Sequence, residues 1–179
     1  VSTFFIQKKV DTGDLLLQKE VEILPEDDAG TLHDKLAETG ADLLLHTIEL
    51  IQQQAITARP QQGQVTPAPK IQSEHMQIDW ERSACAVLNQ IRAFSPRPGA
   101  FTWFDGKRLK IYEAIASDAE STESYSAGTV LPAEKGQLII KCKPGALQIK
   151  TLQLEGKKRL SAEDFMRGIQ VSERMRLGV

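Results

Sequence analysis

The sequence predicts an α+β protein in two parts: a β-turn-β unit with helices, then a small, partly closed β-barrel with flanking helices. Three observations carry this. Two strand-like runs, residues 2–9 and 15–23, flank the turn Asp11-Thr12-Gly13-Asp14. Helical periodicity follows over residues 31–54, and again where Ala84, Val87, Leu88 and Ile91 recur at i, i+3, i+4 and i+7. From Phe101 onward, about five short runs rich in aromatic and β-branched residues are punctuated by Asp-Gly and Pro-Gly, the pattern of a small barrel.

In the first part, Phe4, Phe5 and Ile6 give one strand its apolar character, and Val21 and Ile23 alternate with Glu20 and Glu22 in the other. On spacing alone, an Asp between two strands serves turn chemistry. Thr31 with Asp34 forms a capping-box-like helix start, with Leu32 and Leu36 on one side and Gly40 suited to the helix end. A second helix is expected over residues 41–54, with Leu43, Leu44, Thr47, Ile48 and Ile51 on one stripe. His33, His46 and His75 have no partners at metal-ligand spacing, so no metal is expected.

Residues 58–77 hold Pro60, Gly63, Pro67, Pro69 and several glutamines, the composition of an extended linker. A helix starting at Asp79 or Ser83 ends near Phe94, because Pro96, Pro98 and Gly99 cannot continue it. Asp105-Gly106 between two strand-like runs predicts a hairpin. Residues 117–126, with Ser121, Ser124 and Ser126, read as a polar loop. Strands are expected over 128–131, 137–143 and 146–154, separated by residues 133–136 and by Pro144-Gly145. The inward set shifts from Leu147 and Ile149 to Leu152 and Leu154, which predicts a β-bulge. Ser161 with Asp164 opens a short helix through Phe165, Met166 and Ile169, and the basic tail 170–179 reads as frayed.

The 179 residues are 41% hydrophobic and 26% charged, ordinary for a globular protein. No apolar run approaches the ~20 residues of a membrane span, and no signal-peptide pattern opens the chain, so a cytoplasmic location and no membrane partner are expected. Cys85 and Cys142 stand alone and read as reduced, buried structural thiols. Val1 opens directly into a strand-like run, which reads as a fragment starting inside a domain.

The net charge of −2 divides into −6 over residues 1–60 and +4 over residues 61–179. A basic second half hints at a polyanionic partner, but charge alone favours an ordinary solvated surface. Alternation in 138–143 sets Ile139, Lys141 and Lys143 opposite Leu138, Ile140 and Cys142. Lys107, Arg108, Lys110, Lys150 and Lys157-Lys158-Arg159 extend the basic set. Aromatics for base stacking are few: Trp80, Trp103, Phe104, Tyr112 and Tyr125, with Trp103 and Phe104 assigned to the core. Backbone and shape recognition of a folded RNA therefore fits better than single-strand stacking. No P-loop, GxGxxG, Ser/His/Asp or Cys/His arrangement offers another chemistry.

Three stretches now combine: Val10-Asp11-Thr12-Gly13-Asp14-Leu15-Leu16; Val65-Thr66-Pro67-Ala68-Pro69-Lys70-Ile71 with Ile78-Asp79-Trp80; and Ile91-Arg92-Ala93-Phe94 followed by Pro96, Pro98, Gly99 and Ala100. In this order they resemble the folate-side catalytic loop, the interdomain linker and the start of the C-terminal domain of methionyl-tRNA formyltransferases. The resemblance covers essentially the whole chain. The family's first part is not among these residues. Ser95 and Arg97 depart from the family's Asn-Pro-Trp-Pro-like run.

The resemblance implies that residues 1–60 end a Rossmann-like formyltransferase domain, 61–82 are a linker, and 83–179 form an OB-like tRNA-binding barrel. It implies transfer of a formyl group from 10-formyltetrahydrofolate, as co-substrate, to the amino group of methionyl initiator tRNA in translation initiation. Asp11 would be the catalytic carboxylate, with Val10, Gly13 and Asp14 beside the folate. Arg92, Lys107, Lys110, Lys141, Lys143, Lys150, Lys157, Lys158 and Arg159 would meet tRNA. The family's Asn-x-His pair is absent from these residues, so the chain by itself is expected to be inactive. Without the parallel strands it would pack on, 1–60 exposes apolar residues such as Phe4, Ile6, Leu43 and Ile48, which predicts weaker protection or self-association. Formyltransferases acting on sugar nucleotides, or hydrolysing the folate donor, share the loop and a similar barrel. A non-catalytic RNA- or protein-binding module on the same barrel is the reading from another class. Linker, hinge and basic barrel together favour the tRNA enzyme.

Overall fold

Asp28 opens the longest helix by satisfying its first free N–H groups: its carboxylate accepts from Thr31 N, and the Thr31 hydroxyl accepts from Asp28 N. The computed structural model describes residues 1–118, 124–134 and 136–178. Ser121 of the expected polar loop and Lys135 of the expected turn lie outside these residues. The chain divides into two units, Val1–Lys70 and Ile71–Val179, at a point inside the expected linker.

In the first unit, β1 (Ser2–Phe4) pairs antiparallel with β2 (Leu15–Gln18), Thr3 opposite Leu17. Helix α1 (Ala29–Gln52) packs on this pair. A chain of hydroxyls fastens helix to strands: Leu17 N–H donates to Thr3 Oγ1 at 3.2 Å, Thr3 Oγ1 lies 3.0 Å from Thr47 Oγ1, and Thr47 donates to Leu43 O at 2.6 Å. Beneath the helix start, the buried carboxylate of Asp27 accepts from Leu24 N–H and from Lys35 Nζ, each at 2.7 Å. These contacts, Lys35 first, hold its carboxyl below the ordinary 3.8.

Two expectations are corrected here. The strands are shorter than the apolar runs, because only residues 2–4 and 15–18 find ladder partners. The helix does not stop at Gly40, and one helix replaces the two expected. Gly40 lies on the packed face with Leu43 and Thr47, where a Cβ would sit 3.5 Å from Val1 Cγ1, an ordinary contact that leaves the helix unbroken. The expected stripe divides: Leu44, Ile48 and Ile51 face outward, whereas Thr47 and Leu43, the latter expected to be exposed, are buried against the strands.

The second unit begins with the short helix α2 (Ser73–Met76), where an extended linker was expected. Helix α3 (Ala84–Phe94) starts at Ser83, whose hydroxyl accepts from Ala86 N–H. After the Pro96-Arg97-Pro98 turn come β3 (Ala100–Phe104), β4 (Lys107–Ser117), β5 (Val130–Leu131), β6 (Leu138–Lys141), β7 (Ala146–Leu154), β8 (Leu160–Ser161) and helix α4 (Ala162–Gly168). Asp105 and Gly106 take φ of 49° and 68°, the left-handed pair that a two-residue hairpin turn demands. The six-stranded antiparallel sheet runs β3-β4-β7-β6-β5, with β8 on β7. The expected bulge is present: register shifts on either side of Glu113, opposite Thr151, as the inward set of β7 passes from Ile149 to Leu152. Val87 and Ile91 of α3 and Phe165 of α4 join Leu109, Ile111, Ile140, Leu147 and Leu152 in one core. Burial there pushes the Cys142 thiol up to about 12, whereas Cys85, also expected to be buried, is exposed on α3.

The tail is not frayed. Val130 N–H donates to Met175 O, Leu177 N–H to Gly128 O and Gly178 N–H to Trp103 O, so residues 175–178 link the two edge strands of a curled sheet. Leu177 is buried in the core. Ile78 and Trp80, also core residues, come from the stretch expected as linker.

Candidate active-site loop and basic surface

The loop between β1 and β2 is shaped by its neighbours rather than by its own turn residues alone. Asp11 stands at φ 56°, a left-handed conformation that Asp tolerates. Thr12 Oγ1 donates to Lys9 O at 2.9 Å, and Phe5 N–H to Asp14 O at 3.3 Å. Gly13 is buried, and a Cβ there would fall 1.8 Å from Phe5 O, so only glycine passes this strand. The backbone of Phe5 by itself therefore requires glycine at this position. Residues after the helix clamp the loop from outside. Leu15 and Arg59 exchange two backbone hydrogen bonds of 2.8 Å, and the Gln61 amide donates to Asp11 O at 3.2 Å and Gly13 O at 2.7 Å. Asp11 and Val10 are exposed and Asp14 half-buried.

The loop supplies one exposed carboxylate on a braced backbone. It can hold or orient a proton-carrying group, but it offers no side-chain donor to an oxyanion. Among the described residues, no group of three or more His, Cys, Asp or Glu is placed to hold a metal ion, and no helix is long and apolar enough to cross a membrane.

The basic residues of the second unit divide into groups. Around the proline turn, Lys110 Nζ donates to Pro98 O at 2.8 Å and Arg159 to Pro96 O at 3.2 Å. The Arg159 guanidinium lies 3.4 Å over the Tyr112 ring, whose hydroxyl donates to Gln153 at 2.7 Å, and Gln153 donates in turn to Lys157 O. Beside them Arg108 covers the Phe101 ring at 4.3 Å, with Trp103 edge-on to Phe101. Lys107, Lys157 and Lys158 are exposed, and Lys150 is half-buried on β7. Arg92 closes α3 and donates to Asn89. In a separate group, Lys143 pairs with Glu81 at 3.3 Å, and Arg176 approaches the same carboxylate at 3.9 Å.

Lys141 belongs to neither exposed group. It is 7% exposed, because the outer side of β6 is itself covered: Ile139 packs with Leu131 and Ala146 in a second cluster bordered by Tyr125. Strict alternation had placed Lys141 in solvent. Trp80, a candidate stacking aromatic, is buried in the main core. The sequence places Arg108 in the basic set, two residues before Lys110 on one strand face, but does not single out Gln61 or Arg176. Gln61 lies 48 and 50 residues beyond its partners, a separation no local pattern crosses.

With this geometry in hand, the comparisons with known proteins are specific. The family model described as "Formyl transferase, C-terminal domain" matches residues 70–170. The chain belongs to the formyl transferase family. A second model of the family, "Formyl transferase", matches residues 1–48, which include the braced loop. The chain is 42% identical over 178 residues to a methionyl-tRNA formyltransferase of Pelotomaculum thermopropionicum, covering 99% of this chain and 56% of that protein. It is 37% identical over 179 residues to one of Geobacter metallireducens, with the same shares covered. The chain thus spans about half the length of these curated relatives. In fold it is similar to HypX from Aquifex aeolicus, solved in complex with tetrahydrofolic acid, with TM-score 0.68 and 19% identity over 98% of this chain and 33% of that one. It is also similar to WlaRD, a sugar 3N-formyl transferase, with TM-score 0.60 and 20% identity over 88% of this chain and 55% of that one.

Proposed function

We propose that the protein these residues belong to transfers a formyl group from 10-formyltetrahydrofolate to the amino group of methionyl initiator tRNA, in the cytoplasm, at translation initiation. The observation that carries this is the match along 99% of the chain to methionyl-tRNA formyltransferases, which takes in both the braced loop and the basic half. In this reading residues 1–60 belong to the catalytic domain, 61–82 to a linker and 83–179 to an OB-like domain that holds tRNA. The curled antiparallel sheet, its edges linked by residues 175–178, supports the barrel assignment.

Attack of an amine on a formyl carbon builds negative charge on the carbonyl oxygen and acidifies the nitrogen. Asp11 is assigned the carboxylate that orients the group taking that proton. Its exposed side chain and fixed backbone suit this, since a charged orienter works only if its position is settled beforehand. Val10, Asp14 and the backbone of Gly13 are assigned to the folate side. Lys107, Lys110, Lys150, Lys157, Lys158 and Arg159, with Arg92 and Lys143, are assigned to tRNA phosphates; Lys141 is not, because it is buried. The outward stripe Leu44, Ile48 and Ile51 supports self-association of residues 1–60, which sedimentation at rising concentration tests.

Single-turnover formylation of methionyl-tRNA by the full-length protein tests the reading. Asp11→Ala abolishes turnover and leaves tRNA binding intact, and Asp14→Ala is milder. An Asp11→Ala protein that formylates at the wild-type rate refutes the assignment.

A further inference from the structure

The Asp11 loop carries its exposed carboxylate on backbone that its own turn residues do not fully hold. The carbonyls of Asp11 and Gly13 both point to one side chain, the Gln61 amide, at 3.2 and 2.7 Å. A primary amide nitrogen has two N–H groups, enough to serve both carbonyls. The two carbonyls flank Thr12, so the amide spans the turn that sets the direction of the Asp11 side chain. Just before Gln61, the Leu15–Arg59 backbone pair fixes the segment from which the amide reaches. Asp11 sits at φ 56°, a conformation available to Asp but favoured mainly by glycine, so an outside clamp helps to hold it there.

We propose that Gln61 is a positioning residue for formyl transfer: its amide fixes the backbone on either side of Thr12 and thereby the placement of Asp11. This rests on the reading that Asp11 is the catalytic carboxylate. The residue comes from the start of the expected linker, so the segment leading away from the loop also determines its shape.

The test uses the full-length protein with Gln61→Glu, Gln61→Lys and Asp11→Ala. Glutamate has the same shape without a donor and sets charge against both carbonyls; lysine restores donors on a longer stem. Gln61→Glu is expected to lower kcat about 10- to 100-fold, the scale of a small misplacement of a reacting group. KM for methionyl-tRNA and the melting temperature stay near wild type, because Gln61 is exposed and lies outside the basic set assigned to tRNA. Gln61→Lys recovers most of kcat. Independently of activity, amide exchange over residues 10–14 rises about tenfold in Gln61→Glu, the equivalent of one or two ordinary hydrogen bonds. Wild-type kcat in Gln61→Glu, with Asp11→Ala inactive, overturns the positioning role and leaves the proposed function standing. Faster exchange without a loss of kcat reduces Gln61 to a structural brace and also overturns it. An active Asp11→Ala protein overturns both readings.

Discussion

The indole N–H of Trp80 donates to the Thr102 hydroxyl at 3.0 Å, and both side chains are buried. This ties a segment read as linker to the inner face of β3. Thr102→Val keeps the shape and strands the indole N–H, at a cost of about 1–3 kcal/mol, whereas Thr102→Ser stays near wild type. Urea unfolding followed by tryptophan fluorescence measures the difference.

Leu177 is buried while its N–H donates to Gly128 O, so the tail contributes both packing and ladder hydrogen bonds. Leu177→Ala is expected to destabilise the second unit by about 2–5 kcal/mol, as for other buried leucines. Removing residues 174–179 costs more, because Val130 N–H also loses Met175 O. Calorimetry decides this; an unchanged melting temperature after truncation contradicts the tail's place in the sheet.

The Asp27–Lys35 pair makes the first unit acid-sensitive. Lys35 first, then Leu24 N–H, hold the carboxyl below 3.8, so its stabilisation is present above the unfolded value and fades as pH falls through the lower folded one. Circular dichroism from about pH 5 to about pH 2 should show helix loss that steepens below the ordinary carboxylate value. Asp27→Asn lowers stability at neutral pH and flattens that acid limb.

Lys110 and Arg159 converge on the proline turn, so they are the pair to test against tRNA. Lys110→Gln and Arg159→Gln each weaken binding to many tRNAs alike and lower the salt slope by about one for each phosphate no longer neutralised. Lys143→Gln does less, because Glu81 already takes part of its charge. Filter binding across a salt series measures all three.

Much of the fold was legible in the sequence because short-range signals agree with the tertiary result. Asp105-Gly106 specifies its hairpin through backbone sterics, Ser83 and Ser161 cap their helices, and the parity change between Ile149 and Leu152 marks the bulge. The candidates Asp11, Lys110 and Arg159 came from the resemblance to a family loop and from charge, and their roles are proposals.

What only the tertiary structure decided depends on partners distant in sequence. Gly40 reads as a helix end, but one packed face runs through it and the helix continues. Lys141 alternates toward solvent, yet a second apolar cluster covers that side of β6. The polar, basic tail gives no sign that its backbone completes the sheet edges. Gln61 looks like linker composition until its amide is found on the Asp11 and Gly13 carbonyls. Sequence periodicity reports the burial of an element against its nearest layer; a second layer, a strand edge or a side chain arriving from 50 residues away is set by the long-range packing of the whole chain.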